Sequence, residues 1–228
     1  MTVMTFNTAN DFVRSDTLIA ILAESSASIV GLQELSPENA RALANSLRAQ
    51  FPYRILHGAH VDGKGLLSCY PIREHERFPL ASGRSYIEAE LVVEDRIVSV
   101  FVAHPPPPNY RRLEVASPHA TPDITMLLDR VSPTTPTLLI GDFNFVRPSR
   151  NYRLVRRTGL IDTFREVGQG RGLTYPTRAQ PAAIPLPPLL RIDYIWATSH
   201  FVPLASWVGS GGGSDHLPVV SVLALLPA

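Results

Sequence analysis

Leu138-Leu139-Ile140-Gly141-Asp142-Phe143-Asn144 is a short apolar run that ends on an acid and an amide. A brief apolar stretch closed by a turn signal reads as a strand buried on both faces. In an extended exit from such a strand, residues two apart point to the same side, so Asp142 and Asn144 face one way while Phe143 packs behind them. The acid is suited to activating a water, and the amide to donating a hydrogen bond to a substrate oxygen.

The same arrangement recurs along the chain. Val3 to Phe6 runs into Asn7, Ser28 to Leu32 into Gln33 and Glu34, and Ile97 to Ala103 into His104. Asp193 interrupts the β-like run from Arg191 to Ala197, and Asp215-His216 precedes another from Leu217 to Leu225. One Asp or Asn at a strand end commonly caps a helix or makes a turn. The recurrence at six strand ends points instead to one shared polar site. Glu34 supplies the hard oxygen that Mg²⁺ or Mn²⁺ prefers, with Asn7 and Asp215 completing or orienting the shell. Asp193 is placed to orient His216 and support its imidazolium state.

Between these strands the sequence predicts a short helix with Leu18, Ile19, Ile21 and Leu22 on its buried stripe. A second begins at Ser36-Pro37 and carries Leu43 and Leu47 on one face. Tyr53 to His57, Leu66 to Tyr70, Ile87 to Val93 and Val202 to Val208 read as strands, and Glu94-Asp95 as a hairpin turn. Pro105 to Pro108 cannot continue a central strand, so an ordered active-site loop or a stiff lid should follow His104. Residues 110–130 fit a helix that Pro118 and Pro122 interrupt or start, and residues 176–188 the longest irregular loop. The order of strands with inserted helices reads as one α/β domain over residues 1–228. There is no repeat, heptad, zinc-finger cysteine spacing or dinucleotide glycine fingerprint.

With 45% hydrophobic residues in 228, the chain can build a substantial core. The net charge of +1, from 21 basic and 20 acidic residues, excludes a strong general polyanion binder. Arg147, Arg150, Arg153, Arg156 and Arg157 nevertheless cluster just after the Asp142 segment. The single cysteine, Cys69, excludes an intrachain disulfide and reads as a buried, inert thiol. Neither a signal-peptide pattern nor an apolar run of spanning length is present, so the sequence as given reads as soluble; it leaves localisation and protein partners open.

Five motifs, Thr5-Phe6-Asn7, Gln33-Glu34, Gly141-Asp142-Phe143-Asn144, Arg191-Ile192-Asp193-Tyr194-Ile195 and Ser214-Asp215-His216-Leu217-Pro218, occur in the order seen in the endonuclease/exonuclease/phosphatase superfamily, which the chain resembles. Gly65-Leu66-Leu67-Ser68 followed by Tyr70-Pro71-Ile72 is similar to the family's central strand and turn. His104 resembles the catalytic histidine of its deoxyribonuclease I-like and sphingomyelinase-like branches. The resemblance implies a four-layer α/β/β/α sandwich of two mainly antiparallel sheets. It departs at Ala9, where several branches carry an acidic metal-site residue two positions after the asparagine; Glu34 must then carry more of the ligand set.

The reaction so implied is in-line attack of water on a phosphate ester with Mg²⁺ or Mn²⁺. Asp142 positions or deprotonates the water, His216 held by Asp193 meets the phosphate, Asn144 donates to it, and His104 serves the leaving oxygen or the transition state. The roles of Asp142 and His216 are interchangeable at this level. Arg147, Arg150 and Arg153 are candidate phosphate ligands, and Arg84, Tyr86, Tyr110, Arg111 and Tyr152 candidate substrate contacts. A nuclease acting on DNA is the first expectation. A lipid or small-molecule phosphodiesterase or phosphatase, and a noncatalytic phosphate-binding module, are the alternatives.

Overall fold

The computed structural model describes residues 1–108, 119–179 and 184–227. Fourteen strands and five helices are defined among them. One six-stranded sheet holds β13 (Phe201–Val208), β14 (Val219–Leu225), β1 (Thr2–Asn10), β2 (Ile29–Leu35), β4 (Lys64–Ser68) and β3 (Tyr53–His57), in that order. The other holds β5 (Ile72–Pro79), β6 (Ser85–Val93), β7 (Arg96–Ala103), β8 (Thr137–Asp142), β12 (Asp193–Ala197) and β9 (Ile161–Asp162). Each sheet has a single parallel pair, β1 with β2 and β7 with β8; every other pairing is antiparallel.

Strand alternation sorts the side chains into three apolar layers. Val3, Ile29, Leu66, Leu138, Ile140 and Ile195 meet between the two sheets. Met4, Phe6, Val30 and Leu32 point the other way, onto α1 (Ser15–Glu24) and α2 (Pro37–Asn45) through Leu18, Leu22 and Leu43. Phe101, Leu139 and Trp196 face α3 (Ala120–Asp129) and α4 (Arg150–Arg157) through Ile124, Leu127, Tyr152 and Val155. Three cores separate four layers, helices outside both sheets, as the resemblance implied. Each such large aliphatic side chain contributes roughly 1.5–3 kcal/mol on burial. Gly31 lets the sheets close on each other near one end: a Cβ there would come within 2.6 Å of Ile140 Cδ1.

Local signals explain most boundaries. Ser36 Oγ accepts from Asn39 N (3.1 Å) and Pro37 opens α2. Glu94 and Asp95 take φ of +50° and +61° in the tight β6–β7 hairpin. Several expectations need correction. α2 stops at Asn45, before Leu47, which adopts φ +56° yet still packs on the same core. α3 starts at Ala120, with Pro122 in its first turn, and residues 109–118 lie outside the described residues. The solvent-exposed strand β5 was missed because its charged run, Arg73 to Arg77, hides its period. Within 176–188 the chain forms a small hairpin, β10 (Arg178–Ala179) with β11 (Ile184–Pro185). Cys69 is exposed, because β4 ends one residue earlier and the thiol falls in the following turn. No helix among the described residues is long and apolar enough to cross a membrane.

Candidate active site

Both parallel pairs end at the same edge of the sandwich. β1 and β2 deliver Asn7 and Glu34 from one sheet; β8 delivers Asp142 and the residue after β7 is His104, from the other. The antiparallel strands start there, so β12 opens on Asp193 and Asp215-His216 lies just before β14. Gly141 makes the juxtaposition possible: its φ is +154°, and a Cβ would overlap the Ala103 carbonyl.

Asp142 is the hub. Its Oδ1 accepts from Asn144 N (2.9 Å) and its Oδ2 from Asn7 Nδ2 (3.0 Å). The same Oδ2 lies 3.4 Å from His104 Nε2 and 3.6 Å from His216 Nε2. His216 Nδ1 contacts Asp193 Oδ2 at 3.0 Å. Burial opposes charge on all three side chains. For Asp142 the His216 charge and the hydrogen bonds outweigh it, holding the carboxyl at about 2. For His216 burial works downward, but Asp193 and Asp142 together raise the imidazole to about 10. Asp142, Asp193 and His216 each offer a ligand atom within 4.8 Å of the others, a spacing able to hold a divalent ion.

A second group surrounds Glu34. It adopts φ +51° and receives Asn7 Nδ2 on Oε1 (3.4 Å) and Asn10 Nδ2 on Oε2 (2.6 Å). Asn7 Oδ1 accepts from Ala9 N (2.9 Å), and its NH₂ orients two carboxylates, those of Glu34 and Asp142. Asn10 has an Oδ1 that is buried without a hydrogen-bond partner among the described residues. This oxygen-rich donor set, with one donor unspent, fits a hard cation such as Mg²⁺ or Mn²⁺. Asp215 stands beside it, its carboxyl pushed up by burial.

His104 is buried against Arg84, whose Nη1 lies 3.1 Å from its Nε2 and donates to its carbonyl (3.4 Å). A guanidinium only donates, whereas the Asp142 carboxylate 3.4 Å from the same Nε2 only accepts, so the two neighbours compete for that nitrogen; Nδ1 is buried without a hydrogen-bond partner among the described residues. Burial, aided by Lys64 and Arg84, pushes His104 down against the pull of Asp142. Asn144 spends one amide hydrogen on the Pro105 carbonyl (3.1 Å), pinning the loop after His104 to the exit of β8.

The structure gathers Asn7, Glu34, Arg84, His104, Asp142, Asn144, Asp193, Asp215 and His216 in one place. It does not gather the rest. Tyr86 and Tyr152 are core residues, 1% and 4% exposed, and Tyr152 donates to Asp162 (2.9 Å), so neither offers a face to a substrate. Arg150 and Arg153 lie exposed on α4, Arg153 bonding back to the Pro148 carbonyl, and Arg147 lies over the Tyr152 ring. Among the described residues, none of these three makes a hydrogen bond or ion pair with the cluster. Tyr110 and Arg111 fall outside the described residues. Arg191 is structural: it grips Asp162 with two bonds of 2.9 and 2.6 Å and so fixes the approach to β12.

Sequence reading missed three contributors. Asn10 carries no motif signal beyond its place two residues after Thr8. Tyr175 sets its ring 4.7 Å from the His216 imidazole, a contact only the folded chain creates. Lys64, the only lysine, is wholly buried with Nζ on the Asp62 carbonyl (3.2 Å); burial lowers it to about 8. Its isolation among twenty arginines was the available clue.

Residues 4–216 match the Endonuclease/Exonuclease/phosphatase family, and the chain belongs to it. The structure is similar to an endonuclease/exonuclease/phosphatase from Beutenbergia cavernae (TM-score 0.81, 23% identity, covering 100% of this chain and 72% of that one). It is also similar to a family protein from Leptotrichia buccalis (0.77, 18%, 99% and 100%). A third likeness is to D. rerio TDP2 complexed with single strand DNA product (0.79, 16%, 98% of each). No curated protein sequence matches this one closely enough to count as a relative. Family membership and the Asp142–Asp193–His216 triad support a hydrolytic function.

Proposed function

We propose that the chain is a divalent-metal-dependent phosphodiester hydrolase whose substrate is a nucleic acid. The observation that carries this reading is the position of Asp142 Oδ2, within 3.6 Å of both imidazole Nε2 atoms while Asp193 holds His216 from behind. An anion flanked by one protonated and one neutral imidazole is arranged to handle water and phosphate together. Likeness to a protein complexed with single strand DNA product favours nucleic acid among phosphodiesters.

Asp142 orients the attacking water and takes its proton as the new O–P bond forms; that water becomes strongly acidic only then, so a carboxylate held at about 2 suffices. His216, protonated through neutrality, donates to the phosphoryl oxygens and meets the charge as the P–O bond to the leaving group breaks. Arg84 supplies a second fixed positive charge, 3.1 Å from His104 Nε2. A Mg²⁺ or Mn²⁺ ion held by Glu34, Asn10 and Asp215 would neutralise phosphoryl charge. The Asp142–Asp193–His216 triad is a second cluster able to hold the ion, with the proton of His216 displaced on binding.

A second reading has an observation of its own. Ile184, Leu186 and Leu189 are 57%, 38% and 66% exposed around β11, beside a loop tied to the site by Thr177 N donating to the Asp215 carbonyl (2.9 Å). Such a rim suits a lipid phosphodiester. The deciding experiment assays plasmid DNA, single-stranded DNA, RNA, phospholipid and a phosphomonoester with Mg²⁺ or Mn²⁺, alongside Asp142→Ala and His216→Ala. Nucleic-acid cleavage abolished by both substitutions is expected. Lipid or monoester turnover without nucleic-acid cleavage overturns the substrate, activity untouched by the substitutions overturns the site, and no activity on any substrate leaves a phosphate-binding module.

A further inference from the structure

We propose that Arg178, with the backbone of Gly212 and Gly213, forms a subsite for the nucleic-acid phosphate neighbouring the one hydrolysed; it rests on the nucleic-acid reading above. A cavity of about 230 Å³, large enough for a phosphate group, opens between the β10–β11 hairpin and the glycine-rich turn before Asp215. Arg178, Thr177, Gly211, Gly212, Gly213 and Ser214 line it. Arg178 makes no ion pair or hydrogen bond among the described residues, and its guanidinium lies 5.4 Å from the ring centroid of Phe12. A free guanidinium is the side chain best matched to a phosphate, which it grips with two parallel bonds.

The glycines complete the cradle. Gly212 and Gly213 adopt φ of +53° and +109°, and neither donates a backbone hydrogen bond among the described residues. Successive free amide N–H groups in a turn form an anion-binding concavity. A Cβ on Gly213 would come 3.2 Å from the Phe12 carbonyl oxygen and 3.6 Å from Arg178 Nη2, narrowing the space a phosphate would use. Gly212 is required for a separate reason, since a Cβ there would press against Thr17 Cγ2 at 2.8 Å on α1.

Position selects the ligand. Thr177 Oγ1 donates to the Ser214 carbonyl (2.6 Å) and Thr177 N to the Asp215 carbonyl (2.9 Å), so the cavity is braced onto the catalytic segment. Gly213 precedes His216 by three residues, a reach of roughly 11 Å at most. That places the cavity within a nucleotide or two of the scissile phosphate. Phe12, 44% exposed beside Arg178, offers a ring on which a base can stack.

The test compares wild type, Arg178→Gln and Arg178→Lys on a single-stranded oligonucleotide and on bis(4-nitrophenyl) phosphate, which has one phosphate only. In Arg178→Gln the ratio of kcat/KM for oligonucleotide over single diester should fall about tenfold, mainly through KM. The slope of log kcat/KM for the oligonucleotide against log salt should lose about one phosphate contact, and Arg178→Lys should restore that slope. An unchanged ratio in Arg178→Gln overturns the subsite alone. If wild type hydrolyses the single diester and no oligonucleotide, the nucleic-acid reading fails and the subsite with it. If Arg178→Gln loses binding to anionic phospholipid vesicles while the oligonucleotide ratio holds, the arginine serves a membrane and the proposal is overturned.

Discussion

Asp193 and Asp142 stand directly opposite each other across the β12–β8 ladder, two buried acids in register on neighbouring strands. The pair is tolerable because His216 bonds the first and faces the second. Removing one partner of a buried charge cluster costs about 3–5 kcal/mol, so the imidazolium is a structural tie as well as a chemical group.

Its protonation sets a pH window. The folded-state value of His216, about 10, lies above its ordinary 6.5, so its stabilisation is complete below about pH 6.5 and is lost as pH rises through about 10. Asp142 acts in the opposite sense: held at about 2 against an ordinary 3.8, it stabilises above about pH 3.8 and ceases to as pH falls through about 2. Unfolding free energy from urea titrations should therefore plateau between roughly pH 4 and 6.5. In Asp193→Asn the alkaline decline should still begin near pH 6.5 but be complete well below pH 10, and kcat should fall by about a hundredfold or more. An alkaline limb coincident with that of wild type would refute the role given to Asp193.

Burial holds the His104 imidazole down, and the Arg84 charge beside its Nε2 adds to that. Arg84→Ala frees that nitrogen beside Asp142 Oδ2 and removes one of the charges that lowers the ring, so His104 should titrate at higher pH. Proton NMR of the imidazole C–H reads this directly. Loss of a fixed positive charge from the site should cut kcat by about 10²-fold, against the smaller loss expected of a surface arginine. A His104 titration unmoved by the substitution would show that the contact is incidental.

Asn10 holds Glu34 by one carboxylate oxygen and keeps its own oxygen unpaired. Asn10→Ala should weaken Mn²⁺ binding, measured by calorimetry without substrate, by about 10–100-fold, and Asn10→Asp should restore much of it. Binding indifferent to both changes would move the ion away from Glu34, towards the Asp142–Asp193–His216 triad.

How far the site was legible follows from distance along the chain. Asp142 with Asn144, Gln33 with Glu34, and Asp215 with His216 are local: a strand that ends on a polar pair announces itself in a few residues, and the order of such pairs indicated the sandwich. Asn7 bonds Asp142 across 135 positions, and no spacing rule reaches that far. Tyr86 and Tyr152 show the converse failure. An aromatic near a polar motif reads equally as a platform or as core, and only the packing of α3 and α4 on the second sheet buries both.

The sequence by itself determined which strands end in chemistry, the hairpin at Glu94-Asp95, the capped start of α2 and the family, because backbone preference and strand alternation are short-range properties and the order of motifs is read along the chain without knowing how it folds. Tertiary structure alone decided that Cys69 is exposed, that Arg84 joins Asp142 at the His104 Nε2, that Asn10 supports Glu34, and that Arg178 and a glycine turn share a cavity. Those outcomes depend on how two sheets end together at one edge of the sandwich. Burial, the orientation of donors and the charge each group bears are fixed by neighbours brought from remote parts of the chain.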